Sequence, residues 1–378
     1  FSGRIRISGV YAARFLLYTI YADKIRTVKK ERQADHMPKK DTSPKRVDIG
    51  GQAVLEGVMM KAPDSIAIAV RKPDGSICVR CDPYVSPAKK HKWMGWPIVR
   101  GAVNMVNMLV MGMNTFEASS RMLGVEEEEP TKFEKWLSKT FGKSIDKIVM
   151  GVAIVMAVFL SVGLFMVIPS IIATLINKAV KSLLVVNLCA GVVRIAILIT
   201  YIWACGKIPD MRRSFEYHGA EHKTVYCHEA GLELTPQNAK QFSTLHPRCG
   251  TSFLLITMII ALLAGAVVDQ LLHVIFGVER LTFLARLARS IIILPLIAGI
   301  SYETLKGLAH SNNKLVRALR WPGLMLQHLT TREPDEKQLE VAIASMKAAL
   351  AGKKMPETIL GKDGAAEENA EDAPETNE

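Results

Sequence analysis

Gly250-Thr-Ser-Phe-Leu-Leu-Ile-Thr-Met-Ile-Ile-Ala-Leu-Leu-Ala-Gly-Ala-Val-Val268 carries no charged side chain and decides what kind of protein this is. It reaches the roughly 20 apolar residues that a helix needs to cross a bilayer. Two more runs match it: residues 148–177 hold no charge, and residues 183–206 hold only Arg194. A fourth, 281–302, is interrupted by Arg286 and Arg289. The spacing therefore predicts four membrane helices within residues 147–309, which accounts for a composition 49% hydrophobic despite 48 Lys and Arg.

Orientation follows from the basic residues beside these runs. The chain before residue 147 is strongly basic, the connection 207–249 carries Lys207, Arg212, Arg213, Lys223, Lys240 and Arg248, and Lys306, Lys314, Arg317 and Arg320 follow the fourth run. The other two connections are short. The positive-inside rule then predicts a multi-pass protein of the cytoplasmic membrane with both termini and the connection 207–249 in the cytoplasm. A net charge of +12 suits the anionic inner surface of a lipid bilayer, and no nucleic-acid recognition motif accompanies it. Residues 10–22 are apolar in part, but Arg14 interrupts them and no cleavage site follows, so no secretory signal is read. The six cysteines, Cys78, Cys81, Cys189, Cys205, Cys227 and Cys249, do not form a secreted disulfide framework.

Outside the membrane domain, residues 1–47 read as a basic segment containing a mobile, membrane-facing linker. Residues 48–90 read as a β-rich cytoplasmic region. Ser65-Ile-Ala-Ile-Ala-Val-Arg71 and Ser76-Ile-Cys-Val-Arg-Cys81 alternate about a Lys72-Pro-Asp-Gly75 turn, which predicts a hairpin. Just before it, Gly50-Gly-Gln-Ala-Val-Leu-Glu-Gly-Val-Met-Met60 fits one buried strand with Gln52 and Glu56 on an edge. Residues 91–146 hold an amphipathic helix over 96–122, packed on the membrane domain, and then a charge block at Glu126-Glu-Glu-Glu129. In 310–352 a second amphipathic helix covers 339–350, and 353–378 reads as an acidic disordered tail. The fold class predicted is a mainly α membrane protein: four transmembrane helices, a small N-terminal region containing a β-hairpin, and amphipathic helices.

The chemistry concentrates in the connection 207–249, at His218-Gly-Ala-Glu-His222. On a helix, positions i and i+4 share a face about 6 Å apart, so both imidazoles can reach one divalent ion, most naturally zinc. This is the H-x-x-E-H order, whose carboxylate, Glu221, acts as general base on water. The plainer alternative is an interfacial helix with two solvated histidines. Residues 213–230 draw as one helix stopped by Gly231, on which Glu229 lies two turns beyond His222, too far to join the same ion. A zinc site needs a third protein ligand, and a catalytic one keeps a position open. Glu303, at the end of the fourth run, is the first choice, with His246 and Cys249 as alternatives. Cys78-Val-Arg-Cys81 has C-x-x-C spacing but lies in a strand and lacks a second pair, so a metal there is the lesser reading. Asp269 and Arg286 or Arg289 lie near one end of their helices and predict an ion pair.

Four segments resemble the YqhQ family of bacterial membrane proteins: Gly50 to Met60 as quoted above, Tyr217-His-Gly-Ala-Glu-His-Lys223, His246-Pro-Arg-Cys-Gly-Thr-Ser252, and Pro322-Gly-Leu-Met-Leu-Gln327 with Leu329-Thr-Thr-Arg-Glu-Pro334. The resemblance runs from about residue 48 to 334 and implies metal dependence, without a reaction. The leading expectation is a zinc hydrolase at the cytoplasmic face, acting on a peptide bond or a lipid-linked ester. The rival is a non-enzymatic scaffold or assembly factor, with a structural metal closed by His218, His222, His246 and Cys249 and a basic surface for a membrane-protein or anionic-lipid partner. Transport rests only on Arg194 and Asp269 and lacks the paired broken helices that would support it.

Overall fold

Strand pairing begins where the sequence predicts a single strand. The structure is a computed structural model that describes residues 49–124, 145–180, 182–277, 282–310, 313–360 and 366–367. Strands β1 (Gly50–Val54) and β2 (Gly57–Lys61) pair antiparallel, with Val54 opposite Gly57. The two residues between them make the turn, and Glu56 takes a left-handed φ of 48° to close it. The single buried strand expected over 50–60 is thus a hairpin: apolar content runs through the turn, and the positive φ that reverses the chain is carried by a residue that rarely signals it.

The predicted hairpin follows as β3 (Ser65–Arg71) and β4 (Ile77–Pro83), closed by the Lys72 amide donating to the Ser76 carbonyl at 2.9 Å. A strand from the far end of the chain, β5 (Met355–Leu360), pairs with β4, and β6 (Ala366–Glu367) completes the order β1-β2-β3-β4-β5-β6. This corrects the reading of 353–378 as wholly disordered. Met355, Ile359 and Leu360 are apolar enough to pair on an existing sheet edge, although the acidic residues after them dominate the composition. The segment 1–47, the charge block at 126–129 and the rest of the tail lie outside the described residues.

After a single helical turn at Pro87–Lys90, the helices among the described residues are, in chain order, α1 (Val99–Met122), α2 (Ile145–Val162), α3 (Ile168–Ala179), α4 (Leu183–Cys205), α5 (Pro209–Ala230), α6 (Pro236–Lys240), α7 (Gly250–Phe276), α8 (Phe283–His310), α9 (Lys314–Thr330) and α10 (Glu336–Ala351). A π-helical stretch, Gly163–Val167, joins α2 to α3. Four stretches are long and apolar enough to cross a membrane: Val155–Ile176, Val185–Cys205, Gly250–Phe276 and Leu287–Leu308. Their outer surfaces carry bare apolar side chains such as Phe159 and Ile292, 72% and 75% exposed, as lipid-facing helices do.

The sheet is covered on both faces. Helices α5 and α10 pack on one through Tyr217, Ala220, Leu339 and Met346. Met111, Ala118 and Met122 of α1 pack on the other. Residues three apart on a strand point to opposite faces, so Cys81 enters the first core and Cys78 the second. The C-x-x-C pair cannot share an ion.

Helix α1 also packs on α8, as the sequence predicts. A Cβ on Gly101 would overlap the backbone of Gly299 and Ala298, so the helices touch main chain to main chain. Arg100 then clamps Glu303 with two bonds of 2.6 and 2.5 Å.

Inside the bundle, Asp269 accepts from Arg289 and, at 3.3 Å, from the Asn187 amide. One cluster thereby joins α4, α7 and α8. The ion pair predicted for Asp269 is made with Arg289; the side chain of Arg286 lies outside the described residues. Removing one charge leaves the other uncompensated at low dielectric, which costs roughly 2–4 kcal/mol. Asp269→Asn should therefore lower the thermal midpoint of the detergent-solubilised protein, and Asp269→Asn with Arg289→Met should recover part of the loss; equal midpoints for all three proteins would mean that these groups reach water.

Candidate metal centre

Helix α5 is a polar helix among apolar ones. Pro209 sits at its first turn, where no amide is needed, and Gly231 ends it at φ 68° in the left-handed region. The four-residue spacing sets the rings of His218 and His222 4.5 Å apart. Burial removes Glu221 and His222 from solvent and leaves His218 half-buried.

Each imidazole is oriented by a backbone carbonyl. His218 Nδ1 donates to the Thr330 carbonyl at 2.9 Å, and His222 Nδ1 to that of Thr244. Placing the proton on Nδ1 leaves Nε2 of both rings with its lone pair, the arrangement in which histidines bind metal. Cys249 caps α7, accepting from the Thr251 amide, and its Sγ lies 3.3 Å from His218 Nε2. Ligand atoms of His218, His222 and Cys249 all lie within 4.8 Å of one another. Two imidazole nitrogens and a thiolate are a donor set that suits zinc.

Glu221 is held beside this group. Its Oε1 accepts from the Gly51 amide at 3.0 Å, while Oε2 stands 4.0 Å from His218 Nε2. A side chain on Gly51 would strike the Met59 carbonyl and come within 3.1 Å of Glu221 Cγ, so the contact between β1 and α5 requires glycine. Glu56, in the strained turn, bonds Arg213 and lies 3.4 Å from the Tyr217 hydroxyl, which pins the hairpin to α5 a second time. Burial holds the Tyr217 phenol well above its ordinary pKa, so it stays a neutral donor.

The remaining parts arrive from downstream. Gln327 of α9 is fully buried; its Oε1 accepts from the His246 amide at 2.7 Å, and its Nε2 donates to the His246 carbonyl at 2.8 Å and to Ser252 Oγ at 2.9 Å. That clamp fixes the turn ending at Cys249. Beyond α9 the chain crosses α5 so closely that a Cβ on Gly219 would overlap the Arg332 carbonyl oxygen. The Arg332 amide bonds the Phe215 carbonyl at 2.9 Å, and Lys223 Nζ bonds Glu333 at 2.8 Å and the Lys240 carbonyl at 2.9 Å.

The structure thus brings together His218, His222, Cys249 and Glu221. It does not bring Glu303, the first choice for third ligand, because Arg100 holds both of that carboxylate's oxygens. His246 is adjacent but outside the group: its ring centre is 5.6 Å from that of His222, and its Nδ1 accepts from the Arg248 amide at 3.3 Å. Desolvation pushes His246 down to about 4, against the charge of Glu221, so the ring is neutral near pH 7. Glu229 bonds Arg248 and lies 3.6 Å from His246 Nε2. Gly51, Thr244, Gln327 and Thr330 escaped the sequence reading as site residues. Three of them act through backbone atoms, and of these only Gly51 is constrained in residue type; Gly51, Gln327 and Thr330 stand in segments that carry the family resemblance.

The family description "Protein of unknown function (DUF1385)" matches residues 96–352. The chain is 31% identical over 311 residues to "Uncharacterized protein YqhQ" of Bacillus subtilis (strain 168), covering 80% of this chain and 92% of that one. No solved structure matches it.

Replacing Gln327 with Leu leaves the His246 amide buried without a partner, at roughly 1–3 kcal/mol, and leaves the His246 carbonyl only the Cys249 amide at 3.3 Å. Because the same clamp places Cys249, a zinc ion held by His218, His222 and Cys249 would be bound roughly 10–100-fold more weakly in Gln327→Leu. Competition with a chromophoric chelator measures this, and an unchanged zinc affinity would exclude Cys249 as a ligand positioned by Gln327.

Proposed function

We propose that this chain, which belongs to the DUF1385 family, is a zinc-dependent hydrolase working at the cytoplasmic surface of the membrane. The observation that carries this reading is a buried carboxylate fixed beside three converging ligand atoms, rather than a fourth ligand closing them. In zinc proteins three protein ligands are the mark of a site that keeps a position for a reactant.

When bound, zinc supplies Lewis acidity toward water and toward a carbonyl oxygen. The protein supplies the rest. Thr330 and Thr244 hold the imidazoles in one tautomer and one orientation. The Gly51 amide occupies one oxygen of Glu221 and so aims the other toward the ligand group, where it can take a proton from water and deliver it to a leaving group. Burial of Glu221 and His222 excludes bulk water from this transfer.

A position at the membrane surface is supported by Cys249, which is both a ligand candidate and the cap of the span Gly250–Phe276. The basic connection 207–249 argues for the cytoplasmic side. The exposed apolar face of α1, with Val106, Leu109, Val110 and Met113 at helical spacing, suits contact with the same surface. The scaffold alternative needs His246 as a fourth ligand, a role that its bond from the Arg248 amide does not favour.

Glu221→Gln should retain equimolar zinc yet lose function by roughly 10²–10⁴-fold, since an amide cannot accept a proton from water. His218→Ala and Cys249→Ala should lose both. A Glu221→Gln protein that holds zinc and complements a deletion strain as well as wild type would remove the hydrolase and leave the scaffold. For sidedness, a cysteine placed at Lys240 should resist membrane-impermeant labelling from outside intact cells; labelling there would invert the topology.

A further inference from the structure

The edge of the sheet lies against the catalytic carboxylate. Among the described residues strand β1 pairs with β2 alone, through a two-residue turn between Val54 and Gly57. In that register, Gly50, Gln52 and Val54 exchange hydrogen bonds with β2, while Gly51 and Ala53 turn both their N–H and C=O groups away from it. The Gly51 amide does point outward, since it reaches Glu221 at 3.0 Å. Among the described residues the Gly51 carbonyl and both backbone groups of Ala53 meet no partner.

Among the described residues this edge is partly open. Gly50 is exposed, and Gly51, Gln52 and Ala53 are half-buried. Helix α5 flanks the strand through Glu221, and α1 flanks it where Gln52 donates to Thr115 Oγ1 at 2.6 Å. A Cβ on Gly50 would meet nothing within 4 Å, so internal packing does not explain why residue 50 lacks a side chain. Glycine in an edge strand leaves room for a second backbone to approach.

With the Gly51 amide held by Glu221, the Gly51 carbonyl and the Ala53 amide and carbonyl remain as outward groups on one edge, complementary to one chemical class, the extended polypeptide backbone, which binds by adding a strand. A lipid-linked ester offers no matching row. We propose that β1 is the substrate-binding strand and that the substrate is an unfolded polypeptide segment lying along Gly51 and Ala53, with one peptide carbonyl presented to Glu221 and the His218, His222 and Cys249 group. This rests on the hydrolase reading and chooses between its two substrate classes. In the reaction the oxygen of water bonds the peptide carbonyl carbon, the C–N bond breaks, and the proton taken by Glu221 passes to the departing amine; no electron acceptor is needed.

Binding can be read without turnover in the full-length, zinc-loaded Glu221→Gln protein in lipid nanodiscs, using fluorescein-labelled β-casein as the unfolded polypeptide. Adding Ala53→Pro removes the outward amide and spares the β1–β2 bonds, which do not use it. Casein affinity should fall by about tenfold or more while zinc content and thermal midpoint hold. Without that second substitution, casein should slow deuterium exchange in a peptide covering residues 50–54, and this measurement decides the matter if the proline variant does not fold. Casein that fails to bind, or that binds without protecting β1, overturns the proposal. Wild-type protein that hydrolyses ester lipids in a zinc-dependent manner and ignores casein overturns it too, while keeping the hydrolase. Casein bound at β1 but never cleaved by wild-type protein keeps the strand and removes the hydrolase.

Discussion

Because residue 219 has no side chain, the segment after α9 lies directly on α5, and the centre depends on that contact. It brings the Thr330 carbonyl to His218 and lets the Arg332 amide bond the Phe215 carbonyl. A methyl group at 219 would overlap the Arg332 carbonyl oxygen, so this segment would have to shift. The same main-chain approach recurs at Gly51 against Glu221 and at Gly101 against Gly299. At Gly219 and Gly51 a side chain is omitted where backbone atoms bond across the contact, and at Gly101 where two helices pack main chain to main chain.

The polar interior of this protein is organised by the cost of leaving a buried group unpaired. Gln327 answers both backbone groups of His246, and Arg289 with Asn187 answers Asp269. At low dielectric such groups are expensive alone and strong together, so each satisfied cluster also fixes the position of the elements that supply it. The membrane helices therefore do more than anchor the chain. Helices α4 and α7 end where α5 begins and where Cys249 stands, and α9 packs on α7 to deliver Gln327 and Thr330.

The sheet serves the centre from the other side. Its edge strand donates to Glu221, and its first turn grips α5 through Glu56. Placing a carboxylate between a sheet edge and the His218, His222 and Cys249 group gives one residue two neighbours of different chemistry, a donor that holds it and an imidazole that it faces. The N-terminal hairpin, which composition alone would set aside as a separate small region, is in this arrangement part of the site.

Sequence by itself determined what depends on local periodicity. Uncharged runs of about 20 residues specify spans because hydrocarbon accepts little else, and i, i+4 spacing puts His218 and His222 on one face because the helix repeats every 3.6 residues. Alternation about Lys72 to Gly75 specified the β3–β4 hairpin for the same reason. Tertiary structure alone decided which residue joins His218 and His222. Glu303 and Cys249 both stand at ends of membrane helices, but whether a carboxylate faces an imidazole or an arginine depends on how α8 meets α1, and no local pattern encodes that. Nor could residue types announce the carbonyls of Thr330 and Thr244 or the amide of Gly51, since every residue but proline carries the same backbone donor and acceptor, and only packing selects which ones reach the site.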